Sequence, residues 1–356
     1  MRCLILLLAF NFLLSGKSYS ALGGAYHASY EVGTVVIGSN DGRVYFFAPD
    51  GTQKASFKTG DWVTASPLVM PDRTVVIGSC DGKIYFLGPD GKQKTSFKTT
   101  GRVYSSPALL PDGGVVVGSN DGNVYFLNPD GSKRASVNIA SFILSSPAVL
   151  PNGTVVVGSY DGYVNFLGPD GSKRSRFKTR SRVTASPAIM KDGTVVIGGH
   201  DSNLYFLTPE GKQKFIFKTR GAISSSAAIM PDNSVVVASN DGNVYFLNPD
   251  ATEKSVFHSW TRFDSSPAVM PDGTVVIGGI DGKVYFINPD GSEKAYFKAK
   301  DFVTSSPVVM QDGTVVVGSY DGNVYFLNAD GSKKSEFKTG GRIMSSPIII
   351  KNQKKD

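Results

Sequence analysis

Histidine, cysteine and tryptophan are scarce in this chain: three His, two Cys and two Trp in 356 residues. His27, His200 and His258 stand at no metal-ligand spacing from one another or from Cys80, which argues against a transition-metal centre. No Gly-x-Ser-x-Gly elbow and no phosphate-binding loop occurs. No helical periodicity is sustained anywhere in residues 21–356. Apolar runs long enough to span a bilayer are missing too. The longest, Leu4–Leu14, follows Arg2 and leads into a polar stretch ending Ser18-Tyr19-Ser20. That layout is a secretory signal peptide over residues 1–20, with cleavage expected after Ser20. Cys3 leaves with it and precedes the apolar run, which argues against a bacterial lipid anchor. Cys80 is then alone, so no internal disulfide forms, and a small buried hydrophobe is expected there. The expected product is exported, periplasmic or secreted to the cell surface, with no transmembrane segment.

Strong charge of one sign is also missing. The 37 basic residues, less Arg2 and Lys17 in the leader, leave 35 against 30 acidic ones, a net +5. Nucleic acid is therefore not an expected partner. Much of the basic excess recurs in pairs, Lys54 and Lys58, Lys94 and Lys98, Arg174 and Lys178, Lys214 and Lys218, Lys334 and Lys338. Each pair brackets a Phe at odd offsets and is read as pointing outward on an exposed edge strand, where charge blocks edge-to-edge pairing. Attraction of a polyanion is the other reading of these lysines.

What the chain has in abundance is repetition. SNDGNVYFLNPD occurs at Ser119–Asp130 and again, letter for letter, at Ser239–Asp250. Its Asp-Gly pair recurs every 40 residues at Asp41, Asp81, Asp121, Asp161, Asp241, Asp281 and Asp321, with Asp201-Ser202 in the remaining slot. A fixed period of this length marks a stacked or circular array. Each unit holds four short apolar runs, as in Ser265–Met270, Thr274–Gly278, Val324–Leu327 and the Lys-flanked run ending at Phe337. They are separated by Asp-Gly, Pro-Asp-Gly and Lys-Thr-Gly turns, the punctuation of strands and hairpins. Four antiparallel strands per 40 residues make one propeller blade, and eight units make an all-β, eight-bladed ring over residues 21–350. The first unit enters at its second strand, Gly33–Asn40, and the last ends after a first strand, Ser345–Ile350. These two segments are expected to share a blade and close the ring as a monomer, leaving 351–356 as a polar tail.

The unit DGTVVVGSYDGNVYFLNADGSKKSEFKTGGRIMSSP resembles the repeat of pyrroloquinoline-quinone (PQQ)-type propellers over residues 33–350. That family includes quinoprotein alcohol dehydrogenases. It also includes non-enzymatic relatives such as the propeller lipoprotein of the outer-membrane β-barrel assembly machinery. Where the family often carries Trp, this chain has Phe57, Phe97, Phe177, Phe217, Phe257, Phe297 and Phe337. The quinoprotein enzymes also resemble one another in a vicinal Cys-Cys pair, a calcium site and a catalytic Asp. This chain has no Cys-Cys, and its turn Asp recurs in every unit, as a blade part does. One Asp per turn falls short of a calcium loop. No catalytic residue, no metal and no cofactor is therefore expected, PQQ and calcium included.

Compared with one another, the units vary mainly in two places. One is the residue before Asp-Gly: Asn40, Cys80, Asn120, Tyr160, His200, Asn240, Ile280 and Tyr320. The other is the interblade connection: Trp62, Arg102, Phe142, Arg182, Ala222, Arg262, Phe302 and Arg342. Both fall on one face of an up-and-down propeller, and loops on a rigid scaffold are where binding usually resides. The residue after each connection position is apolar throughout, so the named ones face out of the core. Arg at every second connection, with aromatics at three of the others, is read in two ways. It is the fossil of a duplicated two-blade unit, or it is a rim suited to a carboxylate, phosphate, glycan or peptide. The candidate binding residues are Trp62, Arg102, Phe142, Arg182, Arg262, Phe302, Arg342, Tyr160, His200 and Tyr320, with Trp260, Arg180, Arg220 and Tyr104 nearby. Asn165, where most units have Tyr, is read as packing variation. The first strand of most units opens Ser-Ser-Pro, and small residues there suit a crowded axis. The expected function is a non-catalytic binding or scaffold protein of the envelope or extracellular space with a protein, peptide or glycan partner. A quinone-dependent oxidoreductase and a carbohydrate-binding propeller are the alternatives.

Overall fold

The computed structural model describes residues 33–351. The expected signal peptide and residues 352–356 lie outside the described residues. The chain forms eight separate four-stranded antiparallel sheets arranged as the blades of a propeller. Blade 1 is built from Ile348–Ile350, Thr34–Gly38, Arg43–Phe47 and Gln53–Lys58. Blade 2 runs Leu68–Val69, Val75–Gly78, Lys83–Leu87 and Gln93–Lys98, and blades 3 to 8 repeat it at 40-residue intervals. The ring closes as the sequence implies: Thr34 pairs with Ile350, Val35 with Ile349 and Val36 with Ile348. The innermost strand is shorter than expected. In blades 2 to 8 only two residues join the ladder, and Ser-Ser-Pro stands outside it.

The two middle strands of each blade are apolar on both faces and almost wholly buried. Their side chains alternate between the two neighbouring blades. Val36, Val44 and Phe46 pack toward blade 2, whereas Val35, Ile37, Tyr45 and Phe47 pack toward blade 8. The core is therefore eight layers, one in each interblade seam. This is why the runs VVVG and VYFL show no polar alternation.

Polar bonds reinforce the seams at two levels. Around the axis, the backbone N–H of one blade's inner serine donates to the next blade's serine hydroxyl, Ser66 to Ser106 and onward to Ser346 and back to Ser66. All eight distances lie between 2.9 and 3.2 Å. Further out, the Asp of each Asp-Gly turn accepts the amide two residues on, and its other oxygen accepts the hydroxyl of its own blade's Tyr. That Tyr bond forms in seven blades at 2.6–2.9 Å. In six seams the same oxygen also accepts a backbone N–H from the preceding blade at 2.8–3.1 Å, Gly60 to Asp81 for example. Glycine after this Asp adopts positive φ, as at Gly42 and Gly122, and Ser202 takes the same conformation.

The edge-strand lysines differ from the expectation that they simply point outward. Lys94, Lys214, Lys294 and Lys334 reach back along their own blade to Asp72, Asp192, Asp272 and Asp312 at 2.8–3.2 Å. Lys58, Lys98, Lys178 and Lys338 donate to the carbonyls of the turn Asp residues Asp41, Asp81, Asp161 and Asp321. A long flexible side chain on an edge finds the nearest uncapped acceptor, and here that acceptor lies within its own blade.

One substitution pair shows how tightly the seams are packed. Seven units have Gly at the end of the second strand, and a Cβ there would meet the β-branched residue of the next connection, 2.4 Å from Val103 Cγ1 at Gly78. The exception is Ala238, and its partner is Phe263, which has no branch at Cβ. Gly78→Ala should therefore lower the unfolding free energy by about 1–3 kcal/mol. Adding Val103→Phe should restore part of it, as urea unfolding of both variants will show.

A second expectation follows from the tyrosine hydroxyls. Burial first, and the bond to the turn Asp second, push Tyr45 and Tyr205 up to about 12, and burial does the same for Tyr245. Tyr85, Tyr125, Tyr285 and Tyr325 are raised as well. The folded state thus holds these protons more tightly than the unfolded chain, whose phenols titrate near about 10. The stabilisation is intact below that pH and is lost as pH rises toward about 12. Tyrosinate absorbance and unfolding should rise together in that window. Separate curves, with ionisation complete in a fully folded protein, would contradict it.

Candidate ligand-binding face

The two variable regions meet on one end of the ring. The backbone N–H before each Asp-Gly pair donates to the carbonyl of the connection residue, at 2.8–3.1 Å in all eight blades. Asn40 thus joins Arg342, Cys80 joins Trp62, Tyr160 joins Phe142, His200 joins Arg182 and Tyr320 joins Phe302. The following residues, Val63, Val103, Ile143, Val183, Ile223, Phe263, Val303 and Ile343, are fully buried and anchor each connection. This drives the connection residues outward, and Trp62, Arg102, Phe142, Arg182, Arg262, Phe302 and Arg342 are all exposed. Tyr160 is exposed, and His200 and Tyr320 are half-buried.

The structure gathers these residues into groups rather than one uniform rim. In the first group, Phe142 and Tyr160 meet edge to face at 6.3 Å, and the Arg182 guanidinium stands 5.2 Å from the Tyr160 ring. Arg182 also donates to the Tyr160 hydroxyl at 2.7 Å and to His200 Nδ1 at 3.2 Å. In the second group, Phe302 lies 5.8 Å from Tyr320, and the Arg342 guanidinium stands 5.3 Å from that ring. The two groups are 160 residues, or four blades, apart, which is half a turn of the ring. Arg102 instead donates to the Tyr104 hydroxyl at 3.1 Å, and Arg262 pairs with Asp264 at 3.3 Å. Trp62 is half exposed, and Trp260 is fully exposed at the outer margin of the same face.

Met344 and Asp264 belong to this face and went unread in the sequence. Both lie two residues beyond the connection position, in the series Thr64, Tyr104, Leu144, Thr184, Ser224, Asp264, Thr304 and Met344. That series varies as much as the ones that were read. Asn40 donates to Met344 Sδ at 3.6 Å, and Ser224 donates to Asp264 at 3.2 Å. Cys80 is buried, and burial pushes its thiol up. It is a packing residue.

Among the described residues no three His, Cys, Asp or Glu side chains stand together in a way that would hold a metal ion. Most turn Asp carboxylates are already spent on tyrosine hydroxyls and amides. Among the described residues no helix is long and apolar enough to cross a membrane.

Residues 120–255 match the family model described as outer membrane protein assembly factor BamB. The PQQ-like character of the repeat is thereby borne out. No curated protein matches the chain by sequence. Among solved structures, the chain is similar to BamB from Moraxella catarrhalis, with a TM-score of 0.70 and 16% identity over 88% of this chain and 96% of that one. It is also similar to the computationally designed Ika8 protein, with a TM-score of 0.71 and 20% identity over 90% of this chain and 98% of that one. At these identities the likeness is one of fold.

The Arg182 group has its own titration signature. Burial first, and the Arg182 charge second, hold His200 below its ordinary value. Arg182→Ala should move the His200 midpoint upward in an NMR titration while burial still keeps it below that of a free imidazole. An unchanged midpoint would mean that the guanidinium does not rest against the ring in solution.

Proposed function

We propose that this protein is a non-catalytic propeller that binds a protein or peptide partner in the cell envelope or outside the cell, and that the variable face is its docking surface. One observation carries this reading. Of the eight exposed large apolar side chains among the described residues, six lie on that face: Trp62, Phe142, Tyr160, Trp260, Phe302 and Met344. Arg102, Arg182, Arg262 and Arg342 stand among them. Trp, Tyr and Arg on a rigid support are the residue types that dominate protein interfaces. The outer strands offer less, because most of their lysines are engaged within their own blades. The likeness to an outer membrane protein assembly factor supports an envelope role, as does the expected leader over residues 1–20. On this reading the ring is a monomeric scaffold, and its partner meets the mouth of the channel.

The test is crosslinking capture from envelope and culture extracts, with wild type against a variant carrying Ala at Arg102, Arg182, Arg262 and Arg342. Both proteins should first show the same β-rich spectrum and melting. A partner retained by the wild type and weakened about tenfold or more by the variant is expected, given the weight such arginines carry at interfaces. Equal capture by both would remove this face as the docking surface.

A further inference from the structure

The seam between blades 3 and 4 keeps the axial serine bond but departs from the other seven further out. Elsewhere a Phe near the end of the outer strand packs against the next blade's Tyr, with ring centroids 4.8–5.8 Å apart in all seven cases. Here Val137 replaces the Phe and Asn165 replaces the Tyr. The lysine that caps the turn carbonyl in most blades is Asn138, which turns aside to Asn123 at 3.2 Å. The backbone N–H of Ala140, at the position that bonds the turn Asp in six other seams, donates to Asn138 instead at 2.8 Å. Ala140 holds a positive φ of 58° to do so.

Asp161 is left in an unusual state as a result. Its Tyr partner is missing, and the neighbouring blade's amide has been diverted. One oxygen still accepts from Ser159 at 2.6 Å and, at 3.4 Å, from the Tyr163 amide. The other has neither of the bonds its counterparts make. Of the eight turn Asp residues, Asp161 is the exposed one and the other seven are half-buried. The shorter side chains also open space. A cleft of about 540 Å³ lies between the two blades on the variable face, with Asp161, Asn120 and Asn138 on its walls and Phe142 and Tyr160 beside them. A smaller cavity of about 260 Å³ continues past Asp161 along Asn165.

We propose that this cleft is a saccharide-binding site, with Asp161 accepting ring hydroxyls and Phe142 and Tyr160 supplying the apolar wall. The volume suits a small ligand. A pyranose ring offers adjacent hydroxyls at its edge and a patch of C–H groups on its face. A carboxylate with one unengaged oxygen, the Asn120 amide and two exposed aromatic rings complement those features. A cationic ligand fits less well, because the Arg182 guanidinium already stands over the Tyr160 ring and would repel it. The carboxylate of Asp121, the other acid of the cleft, is taken up by Tyr125, Thr100 and Asn123. This site goes beyond the partner-docking role and does not depend on it.

The repeat itself supplies the control. Asn138→Lys restores the residue most other blades carry, and its ammonium should fill the cleft without harming the fold. Purified wild type, Asp161→Ala, Asn138→Lys and Ile216→Ala would be titrated with cellobiose, maltose, lactose and diacetylchitobiose by saturation-transfer NMR and calorimetry, and with tetramethylammonium as the cationic probe. Melting curves confirm that each variant folds. At least one disaccharide should bind the wild type with a Kd of about 1 mM or tighter. Asp161→Ala and Asn138→Lys should each weaken it about tenfold or more, and Ile216→Ala, exposed on the outer strand of blade 5 away from the variable face, should not. Absence of binding by every disaccharide overturns the proposal. So does binding that ignores both cleft variants, or tetramethylammonium binding at Asp161 in place of a sugar.

Discussion

Closing a ring of eight sheets requires every seam to hold, because a propeller opened at one seam exposes two apolar sheet faces at once. On the variable face one side-chain group per blade, the carboxylate of the Asp-Gly turn, joins the backbone bonds that hold the seams. It accepts the turn amide, the hydroxyl of its own blade's Tyr and, in six seams, an amide of the blade before. The Tyr hydroxyl would otherwise be buried without a partner, which costs about 1–3 kcal/mol. The same carboxylate therefore shapes the hairpin, satisfies a core side chain and ties two blades together. The last of these bonds, Gly340 to Asp41, joins blade 8 to blade 1 at 2.8 Å.

The fold was legible because the repeat is in strict register. A 40-residue period with four punctuated apolar runs leaves little choice of architecture, and the half-blades at either end predict the closing pairs seen between Thr34–Val36 and Ile348–Ile350. The variable face was legible for the same reason, since eight aligned units show which positions escape the common packing. What was hidden depends on reach. Nothing in the order of residues says that Lys58 curls onto the Asp41 carbonyl, or that each Ser-Ser-Pro hydroxyl accepts an amide from the neighbouring blade. The change at Asn165 was visible as a mismatch, but its meaning was not. Its consequence falls on Asp161, four residues away, and on Ala140 in another blade, and only the folded seam brings the three together.

The alternation of Arg and aromatic residues around the rim has two layers. Duplication of a two-blade unit is one reading of where these residues stand. It does not account for what each does, because Arg182 and Arg342 lie over tyrosine rings while Arg102 and Arg262 are held by Tyr104 and Asp264. The difference is set by the residue before Asp-Gly, Tyr160 and Tyr320 in the stacked cases and Cys80 and Asn240 in the others. The rim is thus two similar aromatic and guanidinium groups half a turn apart, separated by weaker positions. A partner that engages both must span the channel mouth. One that engages a single group finds His200 beside the first and Asn40 beside the second, so the two are distinguishable.

A near-symmetric ring makes function and stability draw on different residues. Any feature present in all eight blades serves closure, because no ligand smaller than the ring meets eight copies at once. A binding site has to be sought where the symmetry fails, and the seam between blades 3 and 4 is where several failures coincide. Losing a Phe–Tyr contact forfeits about 0.5–1.5 kcal/mol. The seam offsets this with apolar packing of Val137 and Ile139 and with bonds from the Asp161 amide to the Ser141 hydroxyl and from the Ala140 amide to Asn138. The replacements are short side chains bonded to backbone, where the other seams use long side chains that fill the groove. That exchange keeps the ring closed and leaves a carboxylate and two aromatic edges facing open space, which the seven regular seams do not provide.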